Sequence, residues 1–598
     1  MIITVDFETY YDREFSLSKI TTEEYVRDDR FEAIGVGVKV DDQPTKFFTG
    51  THDELASVLG AYDWGNSFVL AHNTMFDGAI LSWRFGIKPM AWLDTLCMAR
   101  AVDGIEAGNS LAKLAERYNL GVKGDEVINA LGKRRADFNE DDLARYGRYC
   151  CNDVDLTYLL FNKIAHHVSK KELRLIDLTL RMFTEPVVQL DLPLLEQHLE
   201  EVRERKEKLM RAADSDRDTL LSNEKFAALL QSIGVEVPTK ISPATGKETW
   251  ALAKSDEGLK ALQEHDDLRV QALVAARLGT KSTLEETRTE RFIGIAKRGA
   301  MPVPLRYYAA HTGRWGGDDK LNLQNLPRSG RLKQAIIPPA GYLIINADSS
   351  QIEARTVAWL AGQEDLVNAF DKGEDVYKIM ASAIYGKPVE EITKEERFVG
   401  KTTILGAGYG MGSLKFKAQL KIFGVDLPEK ECERIIRVYR ETYPHIPLLW
   451  KAAQKALDAI ASNKTAPLGA YPEVLGVESG GIRLPSGFFL KYSDLRKDSD
   501  DQYSYKTRMG RTKIYGGKVT ENFTQAVARC AVGEQMLRII KTYKVVLTVH
   551  DSVVCIAKES DIAEAVAYVT ECMNWRPSWA KTLPLSCEVG YGESYGRC

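Results

Sequence analysis

Residues 341–355, GYLIINADSSQIEAR, place an acidic residue at the end of a short apolar run. The β-branched run at 342–345 predicts a buried strand that ends in Asp348, and Ser349 and Ser350 then predict the start of a helix. A carboxylate in this place is costly unless a cation or hydrogen bonds neutralise it, and metal binding would remove that cost. The alternative is an Asp that caps the next helix, which is the commoner arrangement for such a residue in isolation.

Residues 544–556, KVVLTVHDSVVCI, form a second β-rich run, which is interrupted by His550 and Asp551. The pattern predicts a strand, a turn and a strand, with Asp551 at the tip. Two carboxylates on neighbouring strands can hold two divalent ions roughly 3.5–4 Å apart, the spacing used for in-line phosphoryl transfer. Asp348 and Asp551 are therefore candidate ligands of one metal site.

Length and composition bound the class of protein. A chain of 598 residues should fold as more than one domain, and 44% hydrophobic with 27% charged residues is ordinary for a soluble globular protein. The sequence shows no bilayer-spanning apolar run and no signal peptide. Its nine cysteines are scattered without a CxxC pair, which argues against a disulfide framework or a structural zinc site. A net charge of −4 does not exclude DNA binding, since a phosphate track needs only local Lys and Arg.

Acidic residues also recur in the first part of the chain. They stand in three short patterns, DFE at 6–8, NTMFD at 73–77 and YCCND at 149–153. Asp6 and Glu8 share one face of a predicted strand, and Tyr149 and Asp153 share one face of a predicted helix. An Asp-x-Glu pair on one face could share a metal ion, because hard cations prefer oxygen ligands. The alternative is an exposed edge strand with its charges directed outward.

These motifs resemble those of a known family. DSSQIEAR at 348–355 and VHDS at 549–552 are similar to motifs A and C of the family A (polymerase I-like) DNA polymerases, and RFVGKTTILGAGYG at 397–410 is similar to motif B. DFE, NTMFD and YCCND resemble the motifs of a 3′→5′ proofreading exonuclease domain. The resemblance implies an α/β multidomain chain, with an RNase H-like 3′→5′ exonuclease domain followed by a right-hand polymerase domain of palm, fingers and thumb.

The resemblance also implies domain boundaries. They are an exonuclease domain at 1–185, a thumb at 186–300, a first part of the palm with motif A at 301–360, fingers with motif B at 361–470, and a second part of the palm with motif C at 471–598. By themselves, the charged helical patterns at 186–300 predict only a helical hairpin with a solvated face. Lys281, Ser282 and Thr283 predict either a phosphate contact or a solvated helix start.

Each active site implied by the resemblance holds two Mg²⁺ or Mn²⁺ ions. In the polymerase site the metal ligands are Asp348 and Asp551. In the exonuclease site they are Asp6, Glu8, Asp77 and Asp153. By the same resemblance Tyr149 orients the attacking water, and all exonuclease motif positions are filled, so an active nuclease is expected.

Motif B predicts contacts to the incoming nucleotide. Arg397 and Lys401 are four residues apart and share a helical face, where two cations could grip a triphosphate; a solvated basic stripe is the alternative. By the resemblance, Lys401 contacts the phosphates and donates a proton to the leaving pyrophosphate. Tyr409 packs near the templating base, and Leu405 lies near the incoming sugar. Glu353 of motif A blocks a 2′-hydroxyl and so selects deoxyribose.

Polar residues elsewhere resemble the family's DNA contacts. By the resemblance, Arg314 and Gln324 reach the minor groove near the primer end. All base pairs offer the same acceptors there, so donors can check the shape of a pair without reading its sequence. The other DNA contacts implied are Asn325, Asn522, Gln525 and His550. For Asn522 and Gln525 the alternative is an exposed polar residue on a helix.

Five positions depart from the family's pattern, among them Ile404 where Asn is common and Tyr377 where many members carry His. Ser349 stands where Tyr is common, Leu405 where an aromatic ring is common, and Ser552 where motif C has a second acid. Leu405 bears on sugar discrimination, and Ser552 removes a possible metal ligand. We expect polymerase activity nevertheless, because Asp348 and Asp551 are present.

The function expected is that of a template-directed, DNA-dependent DNA polymerase. It adds dNTPs to a primer 3′ end, proofreads 3′→5′ and serves phage-type replication in the cytoplasm, which is the host's if a phage encodes the chain. Its partners are primer–template DNA and dNTPs, with a helicase, primase or processivity factor as further candidates, and no membrane. The layout, with no segment for a 5′ nuclease before DFE, resembles phage replicative members; some of these serve genomes with 2-aminoadenine, and no residue decides that point.

Two other hypotheses remain. The motif departures leave open a 3′→5′ exonuclease whose degenerate polymerase module only binds DNA. The other hypothesis is a non-catalytic DNA-binding replication subunit, which would leave two full sets of acids without a purpose.

Overall fold

The computed structural model describes residues 1–124, 130–212, 215–242, 246–263, 265, 267–281, 284–327 and 330–598. Ser282 and Thr283 of the predicted phosphate contact lie outside these residues, and only the backbone of Lys281 is described. Internal contacts divide the chain into two compact units. They are Met1–Val187 with Pro302–Asn325 and Pro338–Cys598, and Val188–Met301 with Leu326–Ile337.

The first 187 residues combine a sheet with helices. The elements are β1 (Ile2–Thr9), α1 (Thr22–Arg27), β2 (Ala33–Val40), β3 (Lys46–Thr49), α2 (His52–Leu59), β4 (Phe68–Ala71), α3 (Thr74–Ala79), β5 (Ala91–Asp94), α4 (Thr95–Val102), α5 (Leu111–Arg117), α6 (Glu140–Ile164) and α7 (Lys170–Thr184).

Strand β1 is the centre of a five-stranded sheet with the order β3-β2-β1-β4-β5. It is antiparallel to β2 and parallel to β4, and α6 packs against β1 and β2. Asp6 and Glu8 lie on one face of β1, as predicted, and Glu8 is only 6% exposed. The alternative of an exposed edge strand is wrong, because β1 is paired on both sides.

Residues 188–337 are mainly helical. The elements are β6 (Gln189–Leu190), α8 (Leu192–Ala212), α9 (Arg217–Leu221), α10 (Asn223–Ser232), β7 (Thr239–Ile241), β8 (Glu248–Trp250), α11 (Glu257–Gln263), α12 (Leu268–Lys281), α13 (Leu284–Arg298), β9 (Leu305–Arg306), β10 (Gly316–Gly317), α14 (Arg331–Gln334) and β11 (Ile336–Ile337).

In the second compact unit the long helix α8 packs against α12 and α13, so the segment is helical as predicted, but further helices stand between these partners and the unit is larger than the predicted hairpin. Phe226, Leu230 and Val274 are among the buried residues of its apolar core. On the solvent-exposed side, Arg203 and Arg205 of α8 form ion pairs of 2.7 and 2.8 Å with Glu290 and Glu285 of α13. The solvated charged face predicted for this segment is therefore present.

Residues 338–598 continue the first unit. The elements are β12 (Tyr342–Ser349), α15 (Ile352–Ala361), α16 (Glu364–Asp371), α17 (Val376–Tyr385), α18 (Lys394–Ala407), α19 (Ser413–Ile422), α20 (Glu429–Thr442), α21 (His445–Ala461), β13 (Ala466–Pro467), β14 (Gly476–Glu478), β15 (Gly481–Arg483), β16 (Phe489–Leu490), β17 (Arg496–Lys497), β18 (Tyr503–Thr507), β19 (Gly510–Lys513), α22 (Gly516–Ile539), β20 (Lys544–Val549), β21 (Ser552–Lys558), α23 (Ile562–Asn574) and β22 (Cys587–Gly592).

The strand that carries Asp348 is an inner strand of a sheet with the order β20-β21-β12-β22. β12 pairs antiparallel with β21 on one side and with β22 on the other. It runs on to Ser349, because that residue still pairs with Cys587 of β22. The predicted helix start at Ser349 is therefore wrong: α15 begins at Ile352, and its N-cap is Gln351 rather than Asp348.

A buried ion pair fixes α7, the last helix before the second unit, to the long helix α22. The Arg529 guanidinium donates to Glu172 at 2.7 Å, and both side chains are at most 5% exposed. The Tyr307 hydroxyl donates to the other Glu172 oxygen at 2.5 Å. Removing one partner of such a pair leaves an uncompensated buried charge, which costs about 3–5 kcal/mol. This contact holds the region of the first sheet to the region of the second within one unit.

Candidate active sites

The four predicted exonuclease acids come together around β1. Asp6 and Glu8 belong to the strand, Asp77 belongs to α3, and Asp153 belongs to α6. The Phe7 backbone N–H donates to Asp77 Oδ1 at 2.9 Å, which ties α3 to the strand. Glu8, Asp77 and Asp153 are buried. The structure thus places in one cluster four acids that are far apart in the sequence.

Burial and mutual repulsion raise the pKa values of these carboxyl groups. Desolvation, followed by the charge of Asp153, raises the pKa of Asp6 from 3.8 to about 7. Desolvation and the charge of Asp6 raise the pKa values of Glu8 and Asp77 well above their ordinary range. A cluster of this kind is unfavourable in its ionised form unless a cation neutralises it.

The raised pKa of Asp6 predicts a pH dependence of stability in metal-free protein. An acid with a folded-state pKa above its unfolded value binds more protons when folded, so its contribution to the free energy of unfolding falls as pH rises from about 4 to about 7. In EDTA, we expect Asp6→Asn to gain stability over the wild type as pH rises from 5 to 8. Thermal melts of both proteins measure this, and a Tm difference that does not change with pH contradicts it.

Two tyrosines of α6 line the exonuclease cluster. Burial, followed by the charge of Glu8, raises the pKa of Tyr146, and burial, followed by the charge of Asp153, raises the pKa of Tyr149. The two rings stack, with centroids 6.2 Å apart. Tyr149 therefore lies beside the acids, as predicted for the residue that orients water. Tyr146 was missed, although its position three residues before Tyr149, on the same helical face, is a usable sequence signal.

Lys123 supplies a positive charge to the exonuclease cluster. Its ammonium group forms an ion pair with Asp153 and lies 5.0 Å from the centroid of the Tyr149 ring. Its charge lowers the pKa values of Asp6 and Glu8 against the larger effect of burial. Nothing in the local sequence pattern distinguishes Lys123, because the segment that carries it reaches Asp153 only in the folded chain.

Cys150 of α6 lies directly against β1. Its thiol lies 3.3 Å from the Asp6 carbonyl oxygen, and ligand atoms of Asp6, Glu8 and Cys150 are all within 4.8 Å of one another. This close approach of helix and sheet depends on Gly37, opposite Asp6 on β2. A Cβ on Gly37 would lie 2.9 Å from Val154 Cγ2 and 3.0 Å from Cys150 Sγ.

We expect Gly37→Ala to damage the exonuclease site selectively. The added methyl group pushes α6 away from β1, at a cost of about 1–3 kcal/mol for overpacking. A shift of about 1 Å in a catalytic group can cost about 10²-fold in rate. Excision of single-stranded DNA and the thermal melt measure these effects. The matched control is Gly65→Ala, since a Cβ there has no neighbour within 4 Å; equal excision by both variants contradicts the expectation.

Asp348 and Asp551 meet at one end of the polymerase sheet. Asp551 follows His550 in the tight turn between β20 and β21, where His550 has a left-handed φ of 52°. The Ser349 backbone N–H donates to the Asp551 carbonyl oxygen at 3.2 Å, which joins the turn to the end of β12. Desolvation raises the pKa of Asp551, and the charges of Glu353 and Asp348 act in the same direction. The two predicted metal ligands are therefore neighbours.

Arg314 links three elements at the polymerase site. One guanidinium nitrogen, Nη2, donates to Glu353 Oε1 at 2.6 Å and to both Asp551 oxygens at 2.9 and 3.1 Å. The Tyr409 hydroxyl donates to the other Glu353 oxygen at 3.3 Å. A continuous polar chain therefore runs from Tyr409 of motif B to Asp551 of motif C. The sequence placed these residues at the site but did not indicate their contacts.

The cations of motif B share one face of α18, as their spacing predicts. Arg397 and Lys401 lie 5.2 and 5.9 Å from the centroid of the Tyr377 ring. Arg397 also donates to Asp375 Oδ2 at 2.7 Å. Leu405, one turn further along, is 42% exposed. Lys401 is exposed, so this face presents a positive charge to solvent.

Two of the predicted DNA contacts are buried and occupied by protein partners. The Gln324 amide donates to the Thr548 carbonyl oxygen at 2.7 Å and accepts from the His550 N–H at 2.9 Å. Asn522 donates to the Tyr492 hydroxyl at 3.1 Å. In this structure both residues brace the protein, and Gln324 fixes the turn that carries Asp551. Asn325 and His550 are exposed, and Gln525 is half-buried.

The donor sets of both sites fit hard divalent cations. The predicted ligands in each set are carboxylate oxygens, which Mg²⁺ and Mn²⁺ prefer. Each set also attracts a cationic side chain of the chain itself, Lys123 in one and Arg314 in the other. A position that holds a positive side chain against two or more carboxylates is electrostatically suited to a metal ion.

Two family models match separate parts of the chain. The model of the family "DNA polymerase family A" matches residues 193–465, and the model "3′-5′ exonuclease" matches residues 64–169. A DNA polymerase of Bacillus phage SP02 is 25% identical in an alignment that covers 98% of both chains. The chain contains a domain of DNA polymerase family A and a 3′-5′ exonuclease domain. The exonuclease match includes Asp77 and Asp153, and the polymerase match includes Asp348 and motif B.

Other relatives of the polymerase are bacterial. DNA polymerase I of Pseudomonas aeruginosa is 26% identical over 84% of this chain, and the alignment covers 53% of that relative. DNA polymerase I of Rhizobium leguminosarum is 22% identical over 87% of this chain and 50% of that relative. The chain thus spans about half the length of these relatives.

A solved structure confirms the fold class of the polymerase. The POL domain of Pol1 from M. smegmatis, in complex with DNA primer-template and dNTP, superposes over 100% of this chain and 96% of its own with a TM-score of 0.66 and 20% identity. The exonuclease domain precedes the polymerase domain, as the motifs predicted. Asp6, Glu8 and Asp551 lie outside the two matched ranges, so their positions at the two sites rest on the structure alone.

In the described part of the chain, no helix is long and apolar enough to cross a bilayer.

Proposed function

We propose that this polymerase adds dNTPs to a primer 3′ end under the direction of a DNA template and removes mispaired 3′ ends in its exonuclease domain. The observation that carries the proposal is the presence of two separate acid sets. Asp348 and Asp551 form one at the end of β12, and the other surrounds Asp6 on β1. The hypothesis of a degenerate polymerase module is not favoured, because the family match and the full-length phage relative include the polymerase domain.

Family A polymerases and 3′-5′ exonucleases depend on divalent metal ions. For this chain we propose Mg²⁺ or Mn²⁺, two ions at each site, held by the carboxylates of the two sets. When bound, such ions activate the attacking oxygen and neutralise the charge that develops on the leaving group. The carboxylates fix the place at which that charge is neutralised. The strands and helices that carry them keep their oxygens in the same positions from one turnover to the next.

Motif B supplies the groups for the incoming nucleotide. Lys401 is exposed and can reach the triphosphate, and Arg397 is held through Nε by Asp375, which leaves its terminal guanidinium nitrogens to face a phosphate oxygen. Glu353 is held by Arg314 and Tyr409, so its carboxylate has a fixed position from which it can exclude a 2′-hydroxyl. In the polymerase reaction, Lys401 gives a proton to the leaving pyrophosphate.

The DNA contacts divide into two groups. Arg314 is held on Glu353 and Asp551 through Nη2, so a contact from its guanidinium group to a base edge in the minor groove would couple primer binding to the state of both carboxylates. Gln324 and Asn522 support the site through their protein partners. Asn325, Gln525 and His550 are the proposed direct contacts. In the exonuclease site, Tyr149 positions the water that attacks the phosphodiester.

The alignment with the DNA polymerase of Bacillus phage SP02 covers 98% of both chains, and this shared length supports a role in phage-type replication. We assign the thumb to the helical unit Val188–Met301 and the fingers to the helices α16–α21, with the palm on either side of the fingers. That the chain works with a helicase, a primase or a processivity factor stays a prediction.

Primer extension tests the proposed function. A labelled primer on a defined DNA template, with four dNTPs and Mg²⁺, should be extended to the template end, and omission of one dNTP should stop it at the corresponding base. With no dNTPs, the primer should be shortened from its 3′ end. Shortening without extension in either Mg²⁺ or Mn²⁺ contradicts the polymerase assignment.

A further inference from the structure

Glu588 lies directly opposite Asp348 in the polymerase sheet. Asp348 of β12 is in register with Ser552 of β21 on one side and with Glu588 of β22 on the other. Directly opposed residues of antiparallel strands point to the same face, with Cβ atoms about 4.5–5.5 Å apart. Glu588 and Asp348 are both exposed, so their carboxylates face solvent on the side of the sheet that carries Asp348.

Two like charges in this arrangement are unfavourable. Directly opposed residues of the same charge destabilise a strand pair. Within the described residues, the Glu588 carboxylate makes no ion pair or hydrogen bond that would offset this cost. Asp551 follows in the adjoining turn, tied to the end of β12 by the Ser349 N–H, and Arg314 already offsets its charge. A divalent cation held among these oxygens would turn the repulsion into attraction.

The backbone fixes these carboxylates in place. The Ser349 N–H donates to the carbonyl oxygen of Asp551 at 3.2 Å, and the Ser350 N–H donates to the carbonyl oxygen of Ser586, two residues before Glu588, at 2.9 Å. The end of β12 is therefore tied to the segments that carry both other acids. Binding groups on rigid strands hold a cation without an ordering cost.

We propose that Glu588 is a third carboxylate of the polymerase metal site and helps Asp348 and Asp551 to hold the divalent ions. This inference rests on the proposed function, since it adds a residue to the same site. Its role is to position and retain metal: the Glu588 oxygen takes part directly or through a metal-bound water.

The test compares Glu588→Gln with the matched control Glu593→Gln. Glu593 is an exposed acid five residues further along, and it pairs with Arg597. Loss of a group that supports a metal site typically weakens metal affinity 10–100-fold. We expect Glu588→Gln to raise the Mg²⁺ concentration for half-maximal primer extension about 10-fold, and the rate to recover as Mg²⁺ is raised. Glu593→Gln should behave like the wild type.

Direct binding gives a readout that does not depend on turnover. In full-length protein with Asp6→Asn and Glu8→Gln, Mn²⁺ titration followed by electron paramagnetic resonance reports the polymerase site, and Glu588→Gln should weaken that binding by a similar factor. In EDTA, the Tm of Glu588→Gln should equal or exceed that of the wild type, because an opposed like charge is gone. A merely structural Glu588 would instead lower it.

The inference is overturned if Glu588→Gln changes neither the Mg²⁺ requirement nor Mn²⁺ binding by more than 2-fold relative to Glu593→Gln. A wild-type protein that fails to extend primers refutes the proposed function by itself. The Mn²⁺ titration still decides whether Glu588 holds metal, so the two failures are distinguishable.

Discussion

Asp348→Asn should abolish primer extension while excision of single-stranded DNA continues. The substitution keeps the size of the side chain but removes the negative charge that binds metal at the end of β12. Metal stabilisation of developing charge is worth several kcal/mol, and each 1.36 kcal/mol is a factor of ten in rate. We therefore expect extension to fall by about 10³-fold or more, measured by single-turnover incorporation of one dNTP at saturating Mg²⁺.

The control for this variant is Glu559→Gln, an exposed acid that follows β21 on the same sheet. It should extend primers at the wild-type rate. Extension by Asp348→Asn within 10-fold of the wild type would remove Asp348 from the catalytic centre. If Asp348→Asn lost extension and excision together, misfolding would explain the result. Excision at the wild-type rate by the same preparation shows that the variant is folded.

Asp6→Asn should give the converse result. The charge of Asp6 raises the pKa values of Glu8 and Asp77, and the charge of Asp153 raises the pKa of Asp6. Asp6 therefore lies within the cluster formed by the four acids. Loss of its charge should reduce 3′→5′ excision by about 10³-fold, by the same metal argument. Extension of a correctly paired primer should stay within 2-fold of the wild type. Degradation of a labelled single strand, followed on the same preparation as extension, measures both.

Asp141→Asn is the matched control for the exonuclease. Asp141 is an exposed acid in the first turn of α6, the helix that carries Asp153. It should leave excision unchanged. If Asp6→Asn degrades DNA at the wild-type rate, the acids around β1 are a structural cluster and the nuclease chemistry lies elsewhere.

The sequence predicted the acids of both sites, because short motifs with fixed spacing identify them. It also predicted that Asp6 and Glu8 share a strand face and that Arg397 and Lys401 share a helix face. These are local geometric properties, set by the repeat of a strand or a helix. The end of β12 was mispredicted, because its extension to Ser349 depends on pairing with β22, which lies more than 200 residues away.

Contacts between distant segments could not be predicted from the sequence. Glu588 lies opposite Asp348 only because β22 adopts one particular register against β12, and a shift of one residue would reverse its face. Arg314 was predicted to contact DNA, and its bonds to Glu353 and Asp551 depend on the approach of three elements. Lys123 reaches Asp153 in the same way. Such contacts are decided by tertiary packing rather than by local pattern.

We propose that two separate sets of carboxylates each hold divalent metal. Anomalous diffraction from crystals of the full chain with Mn²⁺ and a primer–template tests it most directly. We expect two groups of Mn²⁺ peaks, one between Asp348 and Asp551 and one among Asp6, Glu8, Asp77 and Asp153. Absence of Mn²⁺ from either set, at a concentration that supports extension and excision in solution, would contradict it.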